Sequence, residues 1–266
     1  MSEKFVQANG IHIHYEEFGE GAPLILLHGG SGTLEEWRPM IPSFEPHFHV
    51  YALDSRGHGK TDNPSGKLSY RMMADDLAAF VEALKIPRPL VCGYSDGGQI
   101  ALELAMRHPG LARALVVGAA AYRFSEEYVN ALKTWGFEKP GEYDFDWVEA
   151  NFPFFVEDWK RSHYREGDPD YWKKLTLQIS EMWLTPHDYS ESDFKRIADP
   201  LLVLIGDRDG MIPLDDAIGM YRMIPTAELA VLPKADHMSV LTNPKHFLHV
   251  VLEFLTRQSK MEEDKK

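Results

Sequence analysis

The chain is expected to fold as an α/β protein, a mostly parallel sheet with helices on both faces. Three observations predict this. Short continuous apolar runs, such as Pro23 to Leu27 and Leu201 to Ile205, suit strands covered on both sides. Segments of helical spacing, such as Leu68 to Leu84 and Gln99 to Met106, separate them. Several of the runs end in glycine-rich turns that carry histidine, serine or aspartate. Ligands of open parallel sheets bind beyond those C-terminal strand ends.

Phe5 to Ala8 and Ile11 to Tyr15 flank Asn9-Gly10, a two-residue hairpin signal. Alternation in the second arm puts His12 and His14 together on an outer, solvent-facing side. A metal site at that pair lacks a carboxylate or cysteine at useful spacing. The strand at 23–27 ends at His28-Gly29-Gly30-Ser31-Gly32. A strand over 48–53 ends at Asp54-Ser55-Arg56-Gly57-His58-Gly59. A helix over 68–84, a strand over 90–94, a helix over 96–107 and a strand over 112–117 follow.

The texture then changes. From Tyr122 to Asp199 no clear buried strand occurs, yet the segment holds 18 of the 31 aromatics and five of the six tryptophans. Gly136, Pro140-Gly141, Pro153, Gly167-Asp168-Pro169 and Pro186 divide it into helical fragments. The first pattern resumes with a strand over 201–205, a helix over 217–223, a strand over 229–232, and a closing helix from Asn243-Pro244 to Arg257. The expected organisation is a core of 1–121 and 200–259, a helical insertion of 122–199 between the sixth and seventh strands, and a charged tail, 260–266, that frays. An insertion leaving that strand end is placed to cover the site as a lid. Most of its aromatics would form its own small core, and a few would face inward.

Hydrophobic residues make up 44% of the 266, enough for a sizeable core. The net charge of −13 disfavours nucleic acid and anionic membrane surfaces as partners. The single cysteine, Cys92, forms no intrachain disulfide and reads as a packed thiol. No signal peptide is visible in Met1 to Phe5, and no apolar run approaches the roughly 20 residues of a membrane span. A cytoplasmic protein, monomeric or a small homo-oligomer, is expected.

Gly93-Tyr94-Ser95-Asp96-Gly97-Gly98 carries the most chemical information. Serine between a strand and a helix, with glycine two positions either side, fits a nucleophile elbow. Side chains at 93 and 97 would clash in so tight a turn, and the new helix N-terminus supplies N–H groups for an oxyanion. The pentapeptide alone is a weak signal. It strengthens because a base and an acid follow later strands. His237 lies in Pro233-Lys234-Ala235-Asp236-His237-Met238, and Asp209 in Gly206-Asp207-Arg208-Asp209-Gly210. All three fall at one end of the sheet although separated by 114 and 28 residues. Serine needs such a base, and the base a partner that fixes its tautomer.

Asp207 competes with Asp209, but the chain needs several residues beyond the strand to turn back, which favours Asp209. Asp54 suits a hydrogen-bonded loop, and the strand ending at Val117-Gly118-Ala119 offers no carboxylate. His28 reads as a brace for the Gly29-Gly30 turn. His58, His108 and His246 have ordinary loop or helix-end readings, and His163 and His187 lie in the insertion, where they are expected at the surface or, as the alternative, against substrate. The oxyanion donors would be the backbone N–H of Asp96 and that of Gly30. Tyr94, Asp96, Trp183 and Met238 are the candidate substrate-binding residues.

With its order Ser95, Asp209, His237 and its His28-Gly29-Gly30 turn, the chain resembles the α/β-hydrolase fold superfamily over nearly its whole length. The resemblance implies an eight-stranded sheet with a helical cap, no metal or organic cofactor, and hydrolysis through an acyl-enzyme. Relatives include carboxylesterases, lactonases, carbon–carbon bond hydrolases and aminoacyl-ester hydrolases. Haloalkane dehalogenases and epoxide hydrolases use an aspartate nucleophile, which Ser95 speaks against. Ser95-Asp96-Gly97-Gly98 resembles valacyclovir-hydrolase-like enzymes, which implies that Asp96 holds a substrate amine. Its other reading is a carboxylate stabilised at a helix N-terminus. The leading expectation is a serine esterase for small carboxylic esters. Carbon–carbon hydrolysis, lactone hydrolysis and a non-catalytic ligand receptor on the same scaffold are the alternatives.

Overall fold

The Asn9-Gly10 turn closes the first hairpin with both residues at positive φ, 45° and 76°, the geometry of a two-residue turn that matches strand twist. It joins β1 (Lys4–Ala8) to β2 (Ile11–Phe18). This is a computed structural model of the chain, described over residues 3–187 and 189–263. The other strands are β3 (Ala22–Leu27), β4 (Phe48–Leu53), β5 (Leu90–Tyr94), β6 (Ala114–Gly118), β7 (Leu201–Gly206) and β8 (Ala227–Leu232). Their order in one eight-stranded sheet is β1-β2-β4-β3-β5-β6-β7-β8. Pairing is antiparallel at β1–β2 and β2–β4 and parallel from β4 to β8, so only β2 runs against the rest.

The continuous apolar runs occupy the centre. β5, β6 and β7 are buried at every position, because helices cover both of their faces. Burying each of their leucines, valines and isoleucines is worth roughly 1.5–3 kcal/mol. In the core, α1 (Ile41–Phe44) precedes β4, α2 (Tyr70–Ala83) follows it with Ser69 as N-cap, and α3 (Asp96–Arg107) leaves β5. Between β6 and β7 lie α4 (Glu126–Lys133), α5 (Phe145–Asn151), α6 (Pro153–Ser162), α7 (Tyr171–Trp183) and α8 (Glu191–Phe194). α9 (Leu214–Met223), α10 (Ser239–Thr242) and α11 (Lys245–Glu263) complete the chain. The helix expected to stop near Arg257 runs on to Glu263; 264–266 lie outside the described residues.

Three histidines depart from their sequence-based placement. His14 is buried, not solvent-facing: the 54–62 loop covers that side of β2, and its Nδ1 meets Asp54 Oδ2 at 2.8 Å. Its neighbour His12 stays exposed beside Asp62. His163, at the end of α6, is 1% exposed rather than at the surface. His187 is half-buried. Arg56 and Asp76 form a buried pair at 2.5 and 2.7 Å, and Asp76 also accepts from Asn9, tying the hairpin turn to α2. Asp216 on α9 likewise accepts from Arg123 and from the Tyr122 amide, where the β6–β7 segment begins. Among the described residues no helix is long and apolar enough to cross a membrane.

Candidate active site

β5 delivers Ser95 into a strained turn, at φ 56° and ψ −120°, a conformation that costs on the order of 1–3 kcal/mol. A side-chain carbon at Gly93 would lie 2.0 Å from the Gly97 carbonyl oxygen, and one at Gly97 2.1 Å from that of Leu27. Only glycine fits either place, which is why the turn can be so tight. The Ser95 amide donates to Gly118 O at 2.8 Å, so β6 helps to hold the elbow.

The loops after β7 and β8 bring their residues to the same edge. His237 Nε2 lies 3.0 Å from Ser95 Oγ. His237 Nδ1 lies 2.9 and 3.0 Å from the two Asp209 carboxylate oxygens. Asp209 Oδ1 also accepts from the Met211 and Ile212 amides, each at 2.9 Å, which fixes the carboxylate before it meets the ring. Asp209 is almost wholly buried and His237 slightly open to the cavity. A carboxylate against Nδ1–H leaves Nε2 as the acceptor for the serine proton. Asp207, the competing acid, has a buried Oδ1 without a hydrogen-bond partner, and His237 Nδ1 meets Asp209 instead.

Opposite Ser95, the turn after β3 is braced as expected. His28 Nδ1 donates to Gly29 O at 2.7 Å, and its Nε2 accepts from the Ser55 amide at 2.9 Å. Asp54 accepts from the Leu34 and Lys60 amides, each at 2.9 Å. Asp96 opens α3, so its N–H has no acceptor within the helix. Gly30 packs so closely on the Asp96 carboxyl and the Trp183 ring that a side-chain carbon there would sit 2.8 and 2.2 Å away. Gly30 and Asp96, whose amides are the donors proposed from sequence, are therefore neighbours.

The Asp96 carboxyl is engaged from within the protein. Oδ1 accepts from Tyr70 OH at 2.8 Å, and Trp183 Nε1 donates to both oxygens at 2.9 and 3.0 Å. Burial pushes this group up to about 6, although both hydrogen bonds pull the other way. The same Tyr94, Asp96, Trp183 and Met238 singled out from sequence line a cavity of about 670 Å³ above Ser95 and His237. Trp183 packs edge-on against Phe137 at 4.7 Å, and Tyr94 sits 5.5 Å from the His237 ring. Residues of α4, α6, α7 and the turn after α4, among them Tyr128, Phe155, Trp183 and Trp135, line the cavity as well.

Sequence reasoning missed several wall residues. Tyr70 reads in sequence only as part of the helix over 68–84, and Asp158 only as part of the helical insertion over 122–199. Glu36 follows Thr33 at capping-box spacing, so its sequence signal is that of a helix cap. Its carboxyl instead accepts from the Gly29 amide at 2.9 Å and faces the cavity. His163 ties α6 to both core loops: Nδ1 accepts from the Gly59 amide at 3.0 Å and Nε2 donates to Ser31 O at 2.8 Å.

This sheet order, with a strained serine after β5 and an acid and a histidine after β7 and β8, defines a class of protein rather than one enzyme. Residues 22–244 match the family model of the alpha/beta hydrolase fold, and the chain belongs to that family. It is 27% identical over 97% of its length to a 2-hydroxy-6-oxo-6-(2'-aminophenyl)hexa-2,4-dienoic acid hydrolase of Metapseudomonas resinovorans, covering 92% of that protein. It is 24% identical over 92% of its length to a pimeloyl-[acyl-carrier protein] methyl ester esterase of Nitrosospira multiformis, covering 98% of that protein. Among solved structures it superposes on a meta-cleavage product hydrolase from Pseudomonas fluorescens IP01 with TM-score 0.76, at 23% identity, over 96% of this chain and 97% of that one. By name these are all hydrolases, and they differ in what they cleave.

Proposed function

We propose that this protein hydrolyses small, uncharged carboxylic esters through an acyl-enzyme on Ser95. The Ser95–His237–Asp209 contact chain carries the reading. Ser95 Oγ attacks the ester carbonyl while His237 Nε2 takes its proton. The amides of Gly30 and Asp96 receive the oxyanion. Collapse expels the alcohol, which takes the proton back from His237. Water then attacks the acyl-enzyme by the same route in reverse, releasing acid and free Ser95. The helices between β6 and β7 act as a cap, and Trp183, Tyr94 and Met238 shape the walls against the bound ester.

Carbon–carbon hydrolysis of a dienoic acid is the second reading, and the Metapseudomonas relative favours it. The charges of the cavity wall argue the other way. Glu36, Asp96 and Asp158 all line it, and its cations Lys60 and Arg161 are already paired, with Glu3 and Asp158. A carboxylated substrate would find no unpaired cation among the described lining residues to meet its charge. An uncharged ester meets no such cost. The amine role of Asp96 is disfavoured too, because Tyr70 and Trp183 occupy its oxygens.

A panel tests the choice. Phenyl and p-nitrophenyl acetate and butyrate should turn over with kcat/KM at least 100-fold above a 2-hydroxy-6-oxo-dienoate. Amino-acid esters should show no preference over their N-acylated counterparts. Faster turnover of the dienoate would replace the ester reading with the carbon–carbon one.

A further inference from the structure

The turn after β3 is gripped from three sides, and one grip comes from a cavity carboxyl that the mechanism above does not use. Glu36 sits on the short 3-10 helix Leu34–Trp37. Its Oε2 accepts from the Gly29 amide at 2.9 Å, and its Oε1 rests on Gly32, where a side-chain carbon would lie 1.9 Å away. Gly32 N in turn donates to Gly29 O at 3.2 Å, closing the turn. A side-chain carbon at Gly29 would lie 3.5 Å from Ser95 Cβ and 3.6 Å from Glu36 Oε2, so Gly29 stands between the carboxyl and the nucleophile. The residue after it, Gly30, presents one proposed oxyanion amide.

We infer that Glu36 is a positioning residue, whose carboxylate holds the Gly29 amide and so sets the direction of the Gly30 N–H toward the reacting carbonyl. The inference rests on the serine-hydrolase reading. A charged acceptor holds an amide about twice as firmly as a neutral one. The grip therefore depends on ionisation. Glu36 faces Asp158 on α6, with its partner Arg161, Asp96 at the head of α3, and His237; Lys60 lies on the same cavity wall. The acids and burial oppose its charge, while the Gly29 amide and His237 favour it. Burial dominates and pushes the carboxyl up to about 7. Below that pH the proton weakens the grip, and the field that favours an imidazolium on His237 during acylation is lost as well. Protonation of Glu36 then lowers the rate by a bounded factor without switching the enzyme off.

The test is the pH profile of kcat/KM for p-nitrophenyl butyrate, read at the isosbestic wavelength, with Ser95 labelling by a fluorophosphonate alongside. Wild type should show a partial step, a loss of up to about tenfold as Glu36 takes up its proton near pH 7. E36Q, whose amide oxygen still accepts from Gly29, should lack that step and keep its plateau within about tenfold of wild type. E36A should lose about 10–100-fold, in kcat more than in KM. A wild-type profile without that step, the same step in E36Q, or wild-type kcat in E36A overturns the inference while the ester reading stands. Wild type that neither hydrolyses the ester nor labels at Ser95 overturns both. E36Q is nearly isosteric, and a cooperative urea transition establishes that it is folded.

Discussion

His237 is suspended between Ser95 Oγ and a buried carboxylate that two backbone amides hold in place. That arrangement predicts graded losses. S95A and H237A should each lower kcat by roughly 10⁴–10⁶-fold, and D209N by about 10⁴-fold, because an amide at 209 no longer enforces the Nδ1–H tautomer. Steady-state rates on p-nitrophenyl butyrate check this; D207N should stay near wild type. Glu36 makes a stability prediction of definite sign. Its folded carboxyl is pushed up to about 7, above the ordinary value of 4.5, so the native state binds the proton more tightly than the unfolded chain. Stability therefore falls as pH rises through that window. E36Q removes the effect, so urea unfolding should show E36Q gaining on wild type by on the order of 2 kcal/mol between pH 5 and pH 8. A pH-independent difference would contradict the assignment. Ser95, Asp209 and His237 were legible because each follows a strand in a turn with its own signature. Glu36 was not, since Thr33 three residues earlier makes it look like a helix cap.

At the scale of elements, one imidazole joins α6 to two core loops whose sequence positions are 104 and 132 residues away. No local pattern announces such a contact, so His163 looked like a surface residue. Burial holds its ring down to about 4, and the neutral form alone can accept from Gly59. The native state thus binds fewer protons than the unfolded chain between the ordinary histidine value of 6.5 and about 4, and stability is lost as pH falls through that range. Buried His28 and His58 act in the same direction. H163A should cost about 1–3 kcal/mol at pH 7, leaving the Gly59 N–H and Ser31 C=O unpaired. It should also flatten the acid decline and speed hydrogen exchange at Gly59; protection equal to wild type would mean that α6 is held elsewhere. The misplacement of His14 has a related cause. Strand alternation reports two faces but not whether a later loop, here 54–62, folds back over the outer one.

For the whole molecule, strand periodicity and turn chemistry made the parallel core readable in order, from the Asn9-Gly10 hairpin to the closing helix. Element ends drifted where helical propensity continued, as in α11 beyond Arg257. The segment between β6 and β7 was readable as helical from its prolines and glycines, but which aromatics face the cavity depends on packing among helices far apart in sequence. Trp183 does, through Asp96. The most direct measurement of the account is fluorophosphonate labelling located by peptide mass spectrometry, run on wild type, H237A and S95A. Modification should fall on the peptide containing Ser95 in wild type, drop by at least 1000-fold in rate in H237A, and vanish in S95A. Labelling at another residue, or at Ser95 with equal speed in H237A, would contradict the claim that imidazole 237 makes hydroxyl 95 a nucleophile.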